Sequence, residues 1–105
     1  MDIKFDKEYL SELYYKGKCS DKKYRFQPEV VRKYKQRIAL LEQLVRVEQL
    51  YQYHSLNYEV LSGDKAGISS IRVDLKYRIE FIASSTPDSE TLTICNILEL
   101  SNHYK

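Results

Sequence analysis

Apolar residues recur at two different periods along this chain, and the change of period falls between Leu50 and Leu56. Before it, Tyr9, Leu10, Leu13 and Tyr14 repeat at helical spacing, which predicts a helix over Lys7 to Lys16 stopped by Gly17. A second helix opens at Pro28, where a first-turn proline is tolerated and Glu29 complements the N-terminal dipole. Its apolar stripe is Val31, Tyr34, Ile38, Leu41 and Val45, with Arg32, Lys33, Gln36 and Arg37 on the other side. A short turn is expected over Val47 to Leu50, and a first short strand over Asp2 to Phe5.

Beyond the change, alternation takes over. Leu56, Tyr58 and Val60 face one way and Asn57 and Glu59 the other. Gly63-Asp64-Lys65-Ala66-Gly67 reads as a turn whose two glycines supply unusual backbone angles. Ile71 and Val73 alternate with Arg72 and Asp74; Tyr77, Ile79 and Phe81 alternate with Arg78 and Glu80. A hairpin joining these runs through Leu75-Lys76-Tyr77 sets Asp74 opposite Arg78 and Arg72 opposite Glu80, all on the polar face. Pro87 and Asp88 mark the next turn, before a strand from Thr91 to Leu98.

That order predicts an α+β domain, with an N-terminal strand and helices packed on one face of a mainly antiparallel sheet. At 105 residues the chain is expected to be a single domain spanning 1–105, large enough for a conventional core. The other face of the sheet should display Glu59, Arg72 and Arg78, with the chain end bringing His103 and Tyr104 nearby.

Composition narrows the chemistry. Cys19 and Cys95 make neither a disulfide framework nor a metal-ligand set, and Cys95 is expected to be a small buried hydrophobe. No cofactor and no metal are expected. Met1 to Asp6 carries acidic residues and no apolar signal core, and no apolar run is long enough to span a bilayer. The expectation is a cytoplasmic protein with no membrane partner. A net charge of +2 says little about nucleic acid, but its distribution says more. Lys16 to Arg37 is dense in lysine and arginine, with only Asp21 and Glu29 opposing them.

Cleavage of RNA by its own 2′-hydroxyl needs a base for that hydroxyl, an acid for the leaving 5′-oxygen, and cationic stabilisation of the phosphate. Glu59, His103 or Tyr104 can serve the first two roles. Arg78 suits the third, because a guanidinium binds phosphate oxygens through a planar fork without losing its charge. Each residue also has a plain reading: Glu59 as a solvated carboxylate, Arg78 as an ion-pair partner of Asp74 or Glu80, His103 and Tyr104 as a terminal helix or strand end packed for stability, and the basic helix face as ordinary solvated surface.

Three stretches carry a family likeness. Gln27-Pro28-Glu29 opens a basic amphipathic helix, Leu61 to Val73 contains a Leu-x-Gly-Asp-x-x-Gly turn, and Tyr77-Arg78-Ile79-Glu80-Phe81 follows as a strand. Together they resemble the HigB branch of the RelE toxin superfamily, also called plasmid maintenance system killer proteins. The closing Ser101-Asn102-His103-Tyr104 resembles that family's terminal acidic–Tyr–His signature, altered in identity and order. The resemblance implies a type II toxin that cuts translated messenger RNA on the ribosome, and a helix-turn-helix antitoxin (HigA-like) as its partner. It implies catalytic roles for Glu59, Arg78, His103 and Tyr104, and RNA contacts by Lys33, Arg37, Lys65 and Arg72. Glu59 stands where many members carry histidine, and Lys65 has to supply a charge that others place before Gly63. The alternative is a non-catalytic module of the same fold that binds ribosome, RNA or antitoxin.

Overall fold

In the computed structural model the chain forms β1 (Asp2–Phe5), α1 (Glu8–Lys16), α2 (Pro28–Gln43), β2 (Glu59–Val60), β3 (Ser69–Arg72), β4 (Arg78–Thr86) and β5 (Ser89–Ser101). Short 3₁₀ turns lie at Lys22–Tyr24, Val47–Gln52, His54–Leu56 and Gly63–Lys65. The structure describes residues 1–86 and 89–102, apart from the side chains of 86 and 89–92. The expected turn at Pro87 and Asp88 and the expected site residues His103 and Tyr104 lie outside the described residues.

The strands form one sheet in the order β1-β5-β4-β3-β2, with β1 parallel to β5 and every other pair antiparallel. β1 and β2 are therefore opposite edges, and α1 and α2 carry the chain from one to the other. This is the α+β architecture that the change of period predicts.

Local chemistry accounts for the helix ends. Gly17 adopts a left-handed φ of 76° and donates its N–H to Leu13 O, which closes α1. Pro28 opens α2, whose buried residues are Val30, Val31, Tyr34, Ile38 and Leu41. Tyr34 is fully buried and donates its hydroxyl to Leu10 O at 2.7 Å, pinning α2 to α1. Tyr9 does the same for α1 and the sheet, accepting the N–H of Leu100 at 3.2 Å. Around these tyrosines Ile71, Ile79, Phe81, Cys95 and Ile97 complete the core, all with no exposed surface. Cys95 is thus the buried hydrophobe its strand position implies.

The structure corrects the sequence reading in three places. Val45 does not extend the stripe: α2 ends at Gln43, Leu44 turns inward, and Val45 is 55 % exposed. The run from Leu56 to Val60 is mostly not a strand. Leu56 belongs to a 3₁₀ turn and Asn57 is left-handed at φ 46°, so the extended chain resumes only at Glu59. Third, the β3–β4 hairpin is paired differently. Arg72 lies opposite Arg78 and Ser70 opposite Glu80, in place of Arg72 with Glu80 and Asp74 with Arg78.

Turn chemistry causes the last difference. Asp74 Oδ1 accepts the N–H groups of Lys76 and Tyr77, both at 2.8 Å, and Val73 N–H donates to Tyr77 O at 2.9 Å. The connection therefore runs from Val73 to Tyr77, and Asp74 is a turn former where a strand residue was expected. The slip is by two residues, which preserves the side-chain faces.

Candidate functional site

Strand alternation sends Ile79 and Phe81 into the core and turns Arg78 and Glu80 to the opposite face of the sheet. That face is not simply solvated. Arg78 is only 6 % exposed and Glu80 only 3 %. Charges withdrawn from water to this degree require close partners, and both have them.

Arg78 donates Nε–H to Ser70 Oγ at 2.9 Å and Nη2–H to the carbonyl of Asn57 at 2.6 Å. The same Nη2 lies 3.7 Å from Glu59 Oε1. Each partner is placed by the fold. Ser70 is fully buried on β3, in register with both Glu80 and Glu59 on the neighbouring strands. Asn57 presents its carbonyl because its left-handed conformation redirects the chain from the preceding turn towards β2. One arginine thus holds both the bend that leads to Glu59 and the Glu59 carboxylate itself. Glu59, with 48 % of its side chain exposed, remains open to a ligand.

Lys65 joins the cluster from the Gly63–Lys65 turn, donating Nζ–H to Glu80 Oε2 at 2.8 Å. Its side chain is 43 % exposed, so its ammonium faces the carboxylate on one side and solvent on the other. Two cations and two anions therefore surround Ser70, with Glu59 and Lys65 at the accessible rim. A carboxylate beside a guanidinium, with an ammonium on the same face, can accept a proton from a hydroxyl and bind phosphate oxygens.

The remaining expected RNA contacts fall elsewhere. Lys33 and Arg72 line an open groove of about 640 Å³ between α2 and the β3–β4 turn, together with Val30, Asp74, Lys76 and Tyr77. Arg37 does not extend freely into solvent with the rest of the basic face. It donates Nε–H to Arg72 O at 3.1 Å, and partial burial pushes its pKa down. Arg37 is thus a brace between α2 and β3 as well as a cation.

Sequence reasoning missed three contributors. Ser70 and Glu80 acquire their roles from the strand register, and Asn57 from a backbone conformation. The available signal was Ser69-Ser70 inside a strand: a small polar residue there makes room for a neighbouring side chain. Among the described residues no group of three or more His, Cys, Asp or Glu could hold a metal ion. No helix among them is long and apolar enough to cross a membrane.

No protein-family model matches the chain, and no curated protein does. Among solved structures, its fold matches that of a YoeB/ParE toxin from Agrobacterium tumefaciens with a TM-score of 0.56. The two share 17 % sequence identity over 99 % of this chain and 100 % of that one. At that identity the likeness is one of fold.

Proposed function

We propose that this protein is the toxin of a toxin–antitoxin pair and that it cleaves messenger RNA on the translating ribosome without a metal ion. The observation that carries the reading is the Arg78–Glu59 pair on the accessible face of the sheet, with Lys65 beside it. The toxin-like fold supports the general class, and the sequence resemblance to the HigB branch supports the particular activity. In this reading the compartment is the cytoplasm and the neutralising partner is a helix-turn-helix antitoxin of the HigA kind.

Glu59 takes the proton of the 2′-hydroxyl as that oxygen attacks the adjacent phosphorus. The bond from phosphorus to the 5′-oxygen breaks, and the leaving oxygen takes a proton from His103 or Tyr104. The products are a 2′,3′-cyclic phosphate and a free 5′-hydroxyl. Arg78 stabilises the charge that builds on the phosphate, and Lys65 binds a neighbouring phosphate oxygen. Lys33, Arg72 and Arg37 contribute affinity for ribosomal RNA through salt-dependent backbone contacts.

A second reading has its own support. Arg78 is nearly inaccessible and engaged by Ser70 and Asn57, as in an arginine that organises a binding surface without reacting. Primer extension on a translated message, with and without induced protein, separates the two. New 5′ ends within codons are expected from the nuclease; stalled ribosomes on intact message would establish the binder instead.

A further inference from the structure

Glu80 enters neither reading so far, yet it is the most deeply buried carboxylate among the described residues. It sits in register with Ser70, the residue whose hydroxyl accepts from Arg78, and its Oε2 receives the Lys65 ammonium at 2.8 Å. Lys65 is aimed from its own side as well. Gly63 and Gly67 flank it at φ +69° and +89°, Leu61 N–H donates to Ile68 O at 2.8 Å, and Ile68 N–H donates to Lys65 O at 3.0 Å. The loop is closed before Glu80 adds its contact. A lysine free in solution samples many rotamers, and fixing one costs entropy each time a ligand is bound. Here the fold has fixed it in advance.

We infer that Glu80 is a positioning residue: its buried carboxylate holds the Lys65 ammonium at the rim of the Arg78–Glu59 pair, where the ammonium binds an RNA phosphate. The inference rests on the reading that this face engages ribosome-bound RNA. Stability alone gives a poor account of the arrangement, since a buried ion pair is often replaced by apolar residues without loss. Simple charge gives the opposite prediction. Removing Glu80's negative charge makes the face more cationic, so long-range attraction would tighten RNA binding. Loss of positioning weakens it.

The test is a double-mutant cycle on the full chain with Lys65→Met, Glu80→Gln and the pair together, plus Glu80→Asp. Affinity for ribosomes carrying a translated message and the rate of message cleavage are both read, with thermal unfolding of each variant alongside. Lys65→Met and Glu80→Gln should each weaken affinity about tenfold, the size of one charge-assisted hydrogen bond. The double variant should fall no further, and Glu80→Asp should recover part of the loss. Tighter binding by Glu80→Gln, or additive losses in the double variant, would overturn the inference. If Glu80→Gln does not fold, Lys65→Met decides alone, because its side chain is half exposed and unchanged affinity would exclude the phosphate contact. Wild-type protein that binds ribosomes without cutting message would end the nuclease reading and leave the affinity cycle to judge the pair. Wild-type protein that does not bind would end both.

Discussion

Arg78 carries more structure than an exposed active-site arginine would. Its guanidinium bonds the Ser70 hydroxyl and the Asn57 carbonyl beneath a surface that leaves it 6 % exposed. Arg78→Ala should therefore cost folding stability as well as activity. Truncation leaves buried polar partners unpaired and should lower stability by about 1–3 kcal/mol. Arg78→Lys keeps the charge, reaches only part of the network, and should be the milder change in denaturant unfolding. If Arg78→Ala unfolds at the wild-type midpoint, the network contributes nothing to stability. Sequence alone pointed to Arg78 and Glu59 because their residue types, and for Arg78 its strand alternation, are local properties. It missed Ser70, Glu80 and Asn57, whose roles depend on which strand lies opposite which.

At the scale of elements, the period of apolar residues was enough to find both helices and the buried positions Ile71, Ile79 and Phe81 of β3 and β4, but it overran at Val45 and at Leu56. What it could not supply was the turn between β3 and β4. Asp74 looks like the next polar strand residue until its carboxylate is seen capping the N–H groups of Lys76 and Tyr77. Because the slip is by two residues, the predicted face survived while every cross-strand partner changed. Asp74→Ala should cost about 1 kcal/mol by removing this cap. It should also sharpen amide exchange in the turn before it affects the core. Equal stability of Asp74→Ala and wild type would assign the register to strand pairing alone. The Asn57 bend is the other place where local pattern failed, since a left-handed residue interrupts an alternation that looks continuous in the sequence.

At the scale of the molecule, β1 pairs in parallel with β5 at one edge of the sheet, while α1 and α2 carry the chain to the far edge, where it re-enters through β2. The core also seals in two phenols and a thiol, Tyr9, Tyr34 and Cys95. Burial pushes the Tyr9 hydroxyl up to about 12 and the Cys95 thiol up to about 11, and raises Tyr34 further still. The folded state therefore holds these protons to higher pH than the unfolded chain does. Their contribution to stability is complete below the ordinary thiol value of 9.0 and declines as pH rises through the folded values. Denaturant midpoints should hold steady up to about pH 9 and fall steadily above it. A midpoint that rises over that window would contradict the burial. The open face of the sheet, by contrast, places Glu59 and Lys65 at an accessible rim, with Arg78 and Glu80 beneath.

If this rim performs the cleavage, Glu59 is the side chain whose loss shows it most cleanly, because it is half exposed. The decisive measurement is single-turnover cleavage of a ribosome-bound message by Glu59→Gln beside wild type, with thermal unfolding of both. Exchange of an exposed carboxylate for its amide should leave stability within about 0.5 kcal/mol. It should slow cleavage by about a hundredfold or more, the effect of removing a general base. A folded Glu59→Gln protein that cuts at the wild-type rate would remove the carboxylate from the chemistry and contradict the account.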